Sequence, residues 1–191
     1  MSRWYRNSPQ GRTTFRLAYL NSAEAALQAV IDSENEDQTL SLGKKIGHSL
    51  SRGDVVAIRG ELGAGKSVIA RGICEGLGML QRTRSPSFTF MNRYRGPIDV
   101  YHIDLYRIER MGELATLGWE DVLYSDAITV IEWADKLGFL LPPASLEISI
   151  EITGEETRRI SLKANAERHE GIVEDILTSG RGGHQDTRRE T

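Results

Sequence analysis

The chain has 191 residues, of which 39% are hydrophobic and 27% charged, and this composition is typical of one globular domain with short tails. Its single cysteine, Cys74, excludes an intramolecular disulfide and a cysteine-based zinc site, and it favours a reducing, cytoplasmic location. The net charge of −3, from 24 basic and 27 acidic residues, gives no global reason for nucleic-acid binding. No apolar run approaches the roughly 20 residues of a membrane span, so we expect a soluble protein without membrane contact.

The first 37 residues are expected to form an amino-terminal extension that is partly disordered. Residues 1–22 carry four arginines and no acid, but a proline and a glycine interrupt any amphipathic helix there, so a solvated arm is favoured over an import signal. Residues 13–20 resemble a short strand, and a capped helix is predicted over residues 22–31. Residues 33–38 are polar and predict a linker.

Helix and strand patterns alternate in the next part of the chain. Apolar residues recur at helical spacing over residues 40–50, and the helix is expected to end at Gly53. Residues 54–59 contain a continuous apolar run, which is typical of a strand buried on both faces of a parallel sheet. A glycine-rich turn follows, and residues 66–77 predict a helix.

The second half of the chain predicts two hairpins and one more buried strand. Residues 88–94 and 98–103 favour strands joined by a Gly-Pro turn, and residues 111–123 contain a short helix. Residues 127–131 form another buried strand. Apolar and polar residues then alternate over 146–162, which indicates an antiparallel hairpin with one wet face. A helix is predicted over 166–177.

These patterns predict an α/β fold with a mainly parallel central sheet, antiparallel hairpins and flanking helices. Residues 179–191 are rich in glycine and arginine and contain too little apolar surface to fold, so a disordered tail is expected.

A phosphate-binding motif lies between the first buried strand and the helix that follows it. Residues 60–67 read Gly-Glu-Leu-Gly-Ala-Gly-Lys-Ser, which fits G-x-x-x-x-G-K-[ST]. Glycines let backbone N–H groups turn toward phosphate oxygens, and the helix directs its positive end to the same anion. Lys66 would bind the β- and γ-phosphates, and the Ser67 hydroxyl would bind Mg²⁺. The expected nucleotide-binding residues are Glu61, Leu62, Gly63, Ala64, Gly65, Lys66, Ser67 and Val68.

Two acidic residues follow predicted strands and are expected at the carboxyl edge of the sheet. Asp104 and Glu132 could each be the carboxylate that a Mg²⁺–triphosphate site needs, or a solvated acid at a strand end. The guanine-reading tetrapeptide Asn-Lys-x-Asp is missing from the sequence, so adenine is favoured and the expected cofactors are ATP and Mg²⁺. These residues leave open whether the phosphate is hydrolysed or transferred to a small molecule.

Four motifs in order resemble those of the TsaE (YjeE) family. They are the phosphate-binding loop, Ser-Pro-Ser-Phe-Thr at 85–89, His-Ile-Asp-Leu-Tyr-Arg at 102–107 and Ile-Glu-Trp at 131–133. The resemblance covers residues 38–163 and implies a P-loop NTPase fold, with an ATPase domain over residues 38–178. It also implies ATP hydrolysis that supports threonylcarbamoyladenosine modification of tRNA, together with the proteins TsaD and TsaB. The chain would meet tRNA indirectly, through that complex.

The resemblance also implies roles for individual residues. Ser67 and Glu132 would belong to the Mg²⁺ site, and Asp104 would act in hydrolysis. Hydroxyl residues of the second motif would form a nucleotide-sensing switch. These are Ser85, Ser87 and Thr89. The family usually has threonine at positions 67 and 87, and serine keeps the hydroxyl while it loses the rigidity of a β-branched side chain.

Three further residues have two interpretations each. Arg107 could stabilise charge on the transferred phosphoryl group or form a surface ion pair. Trp133 could pack near the nucleotide or in the core. His102 could act in the site or only line the sheet.

Two other functions remain possible at this point. A small-molecule kinase would need a lid with paired arginines, and Arg82 and Arg84 are the nearby pair. A tRNA-binding adaptor would use the basic amino-terminal arm, although the negative net charge disfavours it.

Overall fold

An eight-stranded mixed sheet organises the structure, a computed structural model that describes residues 14–17, 26–79, 85–109, 112–113 and 118–179. The strands in chain order are β1 (Thr14–Leu17), β2 (Gln28–Ser33), β3 (Val55–Gly60), β4 (Met91–Tyr94), β5 (Val100–Asp104), β6 (Ile128–Glu132), β7 (Leu146–Ile152) and β8 (Arg158–Ala164). Their order across the sheet is β1-β2-β8-β7-β3-β6-β5-β4. The central strands β7, β3, β6 and β5 are parallel, and the outer strands pair antiparallel.

Helices cover both faces of the sheet. Helices α1 (Glu36–Ser49), α2 (Lys66–Gly76) and α4 (Glu167–Ser179) share one hydrophobic core with the first face. The short helix α3 (Trp119–Leu123) and a 3-10 segment (Ala134–Leu140) share a second core with the other face. Because helices lie on both sides, every residue of β6 is buried.

Helices α1 and α2 touch through glycines. Gly43 and Gly47 on α1 face Gly72 and Gly76 on α2. A Cβ added at Gly47 would lie 2.3 Å from the carbonyl oxygen of Ile73, so the two backbones are in direct contact there. This contact fixes the position of α2, which begins at the phosphate-binding loop.

Most of the predicted elements are confirmed. The buried strand over 54–59 is β3, the helix over 66–77 is α2, and the buried strand over 127–131 is β6. Both predicted hairpins pair antiparallel, as β4 with β5 and as β7 with β8. The helix predicted over 40–50 is α1, and the one over 166–177 is α4.

Two predictions before residue 40 are wrong. The helix predicted over 22–31 is replaced by β2 from Gln28 onward, because burial alternates along that segment and it pairs with β8. The linker predicted over 33–38 already contains the start of α1, since the Asn35 side chain accepts a hydrogen bond from Gln38 N–H and caps the helix. Residues 18–25 lie outside the described part of the chain.

Strand β2 lies in the same sheet as the central strands although it precedes residue 38. The division into an extension (1–37), a domain (38–178) and a tail (179–191) stays a prediction, because the structure describes only part of the extension and only Ser179 of the tail. Residues 1–13 and 180–191 lie outside the described residues. Over the described ranges, none of the helices is both long and apolar enough to cross a membrane.

Candidate nucleotide-binding site

The phosphate-binding loop joins the end of β3 to the start of α2, as the sequence predicts. Gly63 and Gly65 have φ angles of 79° and 103°, which L side chains rarely adopt. Gly65 is the residue before the first turn of α2, and the first N–H groups of a helix have no partners within it. The loop can therefore present N–H groups and the positive end of α2 to one anion.

The Lys66 ammonium folds back over the loop. Its Nζ donates hydrogen bonds to Gly60 O at 2.8 Å and Glu61 O at 2.7 Å, and it lies 3.5 Å from the centre of the Trp133 ring. Burial lowers the pKa of Lys66 below its ordinary 10.5, and nearby carboxylates, led by Glu132, offset part of that effect. A phosphate group would offer this cation a stronger partner than the two carbonyls do.

Ser67 and Glu132 meet although 65 residues separate them. The Ser67 hydroxyl donates to Glu132 Oε2 at 2.7 Å, and His102 Nε2 lies 2.8 Å from Glu132 Oε1. Glu132 and His102 are both about 1% exposed. The predicted metal residues are therefore adjacent, and His102 contacts one of them instead of only lining the sheet.

Strand alternation explains part of the position of His102, and the strand register in the structure explains the rest. His102 and Asp104 are two residues apart on β5, so they lie on the same face of the strand. Asp104 pairs with Glu132 across the parallel strands β5 and β6. The same register pairs His102 with Val130, two residues before Glu132 on the same face, so the His102 side chain reaches the Glu132 carboxylate diagonally.

Asp104 holds two of the three predicted switch residues. Its Oδ2 accepts hydrogen bonds from the hydroxyls of Ser85 at 2.6 Å and Ser87 at 2.5 Å. Its Oδ1 accepts one from Tyr106 N–H at 2.9 Å. Thr89 is separate from this group, because its hydroxyl donates to Asn92 Oδ1 at 3.0 Å.

The remaining predicted residues lie in different surroundings. The Arg107 guanidinium carbon lies 5.5 Å from the centre of the Phe88 ring, and both side chains are exposed. Leu62 is also exposed, at the tip of the loop. Trp133 packs between Lys66 and Tyr106, whose ring centre is 5.1 Å away. Arg82 and Arg84, the pair that a kinase lid would use, lie outside the described residues.

Arg158 is a contact of the loop that sequence reasoning missed. Its guanidinium donates to the carbonyls of Ala64 and Gly63 at 3.0 and 3.2 Å. No motif marks it, because it lies 94 residues beyond Ala64 at the start of β8.

The donor set suits Mg²⁺ that is shared with a nucleotide. Over the described residues, no three His, Cys, Asp or Glu side chains cluster as a metal site, so protein groups there do not form a complete cage. One hydroxyl and one carboxylate beside a phosphate-binding loop match Mg²⁺, which usually takes one or two carboxylates plus phosphate oxygens and water. Ser67 and Glu132 provide that pair.

The family model described as Threonylcarbamoyl adenosine biosynthesis protein TsaE matches residues 33–160. The chain belongs to the TsaE family. The Bacillus subtilis tRNA threonylcarbamoyladenosine biosynthesis protein TsaE is 33% identical over 143 residues, which are 74% of this chain and 89% of that protein. The protein of the same name from Treponema pallidum is 31% identical over 130 residues, 68% of this chain and 96% of its own length.

A solved structure agrees with this assignment. The crystal structure of Bacillus subtilis YdiB aligns with a TM-score of 0.69 and 30% sequence identity, over 81% of this chain and 97% of that one. The predicted family and the predicted α/β fold are confirmed. The TsaE family takes part in tRNA threonylcarbamoyladenosine biosynthesis, and the matched range contains the loop, Asp104 and Glu132.

Proposed function

We propose that this TsaE family member binds ATP with Mg²⁺ in the cytoplasm and hydrolyses it in support of tRNA threonylcarbamoyladenosine synthesis. The observation that carries the proposal is the hydrogen bond between Ser67 and Glu132, 2.7 Å long, at the start of the helix that follows the phosphate-binding loop. Groups suited to a phosphate and groups suited to a hard cation thus meet at one edge of the sheet.

The loop and Lys66 would hold the phosphates. The N–H groups at the start of α2 and the helix dipole favour an anion. Lys66 would exchange its bonds to Gly60 O and Glu61 O for bonds to phosphate oxygens. The bonds from the ammonium to the carbonyls are already charge-assisted, but a phosphate oxygen carries negative charge and attracts the ammonium more strongly, so the exchange favours binding.

Ser67 and Glu132 would hold Mg²⁺, whose charge would offset that of the phosphates. His102 supports this arrangement because its ring nitrogen lies against Glu132 Oε1 and leaves Oε2 directed at Ser67. A carboxylate with one oxygen held in this way cannot rotate freely. His102 would therefore orient the metal-binding carboxylate.

Asp104 would act in the hydrolytic step, by orienting the attacking water or accepting its proton. Its Oδ2 is occupied by the hydroxyls of Ser85 and Ser87. These hydroxyls must leave, or turn toward the nucleotide, before that oxygen can serve a water. We propose that the segment 85–89 is the switch that couples nucleotide state to partner binding, since a ligand shifts an equilibrium only through contacts that differ between two states.

The proposed partners are TsaD and TsaB, with tRNA reached through their complex. This part of the proposal follows from the family membership. It is tested by pulling down TsaD and TsaB with the full chain in the presence of ATP or ADP. Recovery of TsaD and TsaB in amounts that differ between ATP and ADP supports the partnership. Failure to recover either protein with either nucleotide contradicts it.

Binding and turnover are tested with three variants, measured by titration calorimetry with and without Mg²⁺ and by phosphate release. Lys66→Ala should lose nucleotide affinity and turnover. Glu132→Gln should lose the Mg²⁺ dependence of binding, whereas Asp104→Asn should bind normally and turn over slowly. Unchanged binding and turnover in Lys66→Ala would refute the nucleotide site. Loss of metal dependence in Asp104→Asn alone would reverse the roles of the two carboxylates.

A further inference from the structure

Arg158 connects the phosphate-binding loop to the turn between β7 and β8. Its Nε and Nη2 donate to Ala64 O and Gly63 O at 3.0 and 3.2 Å. Its Nη1 lies within 3.3 Å of three carbonyl oxygens of the turn. These belong to Gly154, Glu155 and Thr157. One planar guanidinium with fixed donor directions therefore joins two loops that are distant in sequence.

The contacts are made with backbone carbonyls and not with an opposite charge. Over the described residues, no ion pair joins Arg158 to a carboxylate. Glu155 and Glu156 line the same cleft as Arg158, so their carboxylates offset its positive charge there. The effect of Arg158 on the loop therefore comes from the direction of its hydrogen bonds.

Peptide geometry gives these bonds a consequence on the opposite side of the loop. The C=O and N–H of a trans peptide point in opposite directions. An Ala64 carbonyl held toward Arg158 therefore keeps the Gly65 N–H on the far side, which in a phosphate-binding loop is the side of the anion. Gly63 and Gly65 flank Ala64, and glycine loses more conformational freedom on ordering than any other residue.

We propose that Arg158 is a positioning residue that holds the phosphate-binding loop in its anion-binding conformation before nucleotide arrives. The inference rests on the proposed nucleotide site. A loop that is ordered in advance pays less conformational entropy when it binds, so loss of Arg158 should weaken nucleotide affinity. The effect should fall on the KM of ATP more than on kcat, because the same N–H contacts serve bound substrate and transition state.

The neighbouring residue Arg159 provides a matched control. It lies on the same strand and is similarly half-buried, and its Nε pairs with Asp32 at 3.0 Å. The test uses the full chain with Arg158→Met, Arg158→Lys and Arg159→Met, titrated with Mg²⁺ and ADP by calorimetry. Thermal unfolding without nucleotide checks that each variant is folded.

Arg158→Met should bind ADP about tenfold more weakly than the wild type, since it loses two charge-assisted hydrogen bonds to the loop. The ADP affinity of Arg158→Lys should lie between those of the wild type and Arg158→Met, because an ammonium keeps the charge but lacks the planar, forked arrangement of guanidinium donors. Arg159→Met should stay within about twofold of wild type.

The inference is overturned if Arg158→Met lowers the melting temperature but binds ADP like the wild type, or if Arg159→Met loses as much affinity. If Arg158→Met does not fold, Arg158→Lys decides, and wild-type affinity in that variant overturns the inference. A wild-type chain that fails to bind ADP refutes the proposed function and the inference together. Binding by the wild type with equal binding by Arg158→Met refutes the inference alone.

Discussion

Replacing Gly47 by alanine should destabilise the protein, although alanine is the better helix former. The added Cβ would lie 2.3 Å from the carbonyl oxygen of Ile73 and 3.1 Å from the Cα of Gly76. Both atoms belong to the backbone of α2, so no side chain can move aside. The two helices must separate, and the apolar contacts between them loosen.

The magnitude follows from two opposing contributions. Overpacking costs roughly 1–3 kcal/mol, and a contact with backbone places this site at or above the upper end of that range. The gain in helix propensity from glycine to alanine returns at most about 1 kcal/mol. We expect a net loss of about 2 kcal/mol, which for a domain of this size lowers the melting temperature by roughly 4–8 °C.

Gly171 in α4 is the matched control, since a Cβ there meets nothing within 4 Å and the residue is exposed on a helix. Gly171→Ala should therefore stabilise the protein by up to about 1 kcal/mol. The assay is urea unfolding followed by circular dichroism at pH 7, with all three proteins measured side by side. Gly47→Ala at or above wild-type stability, or an equal loss in Gly171→Ala, would show that the helix contact is not as close as described.

Three further predictions concern the switch, a buried carboxylate and the cysteine. Ser87→Ala should still bind ADP but lose part of the ATP-dependent change in affinity for TsaD and TsaB, as measured by pull-down; a response equal to that of wild type would remove Ser87 from the switch. Burial by itself raises the pKa of Asp54, but hydrogen bonds, first from His169 and then from a backbone N–H, outweigh it and hold that pKa below the ordinary 3.8. Because the pKa of Asp54 is lower in the folded protein than in the unfolded chain, the ionised carboxylate contributes its full stabilisation above pH 3.8. This contribution is lost as pH falls through the folded-state pKa. Asp54→Asn should therefore be less stable than wild type at pH 7, by about 1–3 kcal/mol. Urea titrations should show that this difference in the free energy of unfolding becomes smaller below pH 3.8, and a difference that is independent of pH would contradict the reasoning. Burial raises the pKa of Cys74 to about 12, so a thiol reagent should label it only as fast as the chain unfolds, and rapid labelling of the native protein would contradict its burial.

Residues that act through their immediate neighbours could be predicted from the sequence. The phosphate-binding loop depends on consecutive residues 60–67, and the continuous apolar run before it predicts a strand buried on both faces, as β3 is. The carboxyl edge of a parallel sheet collects the residues that follow its strands, which is why Asp104 and Glu132 could be placed together in advance. Their side-by-side register on β5 and β6 agrees with that reasoning.

Tertiary structure decided the features that depend on pairing across long separations. Gln28–Ser33 became a strand because β8 offers it a partner, and a local capping signal cannot report that partner. Arg158 contacts Ala64 across 94 residues, and His102 reaches Glu132 across 30. Among the switch hydroxyls, those of Ser85 and Ser87 bond to Asp104, whereas that of Thr89 bonds to Asn92. This difference depends on how the loop folds at the edge of the sheet. Sequence determined which groups are available for chemistry, and tertiary packing determined which of them meet, because a hydrogen bond requires its two atoms to approach within about 3 Å whatever their separation along the chain.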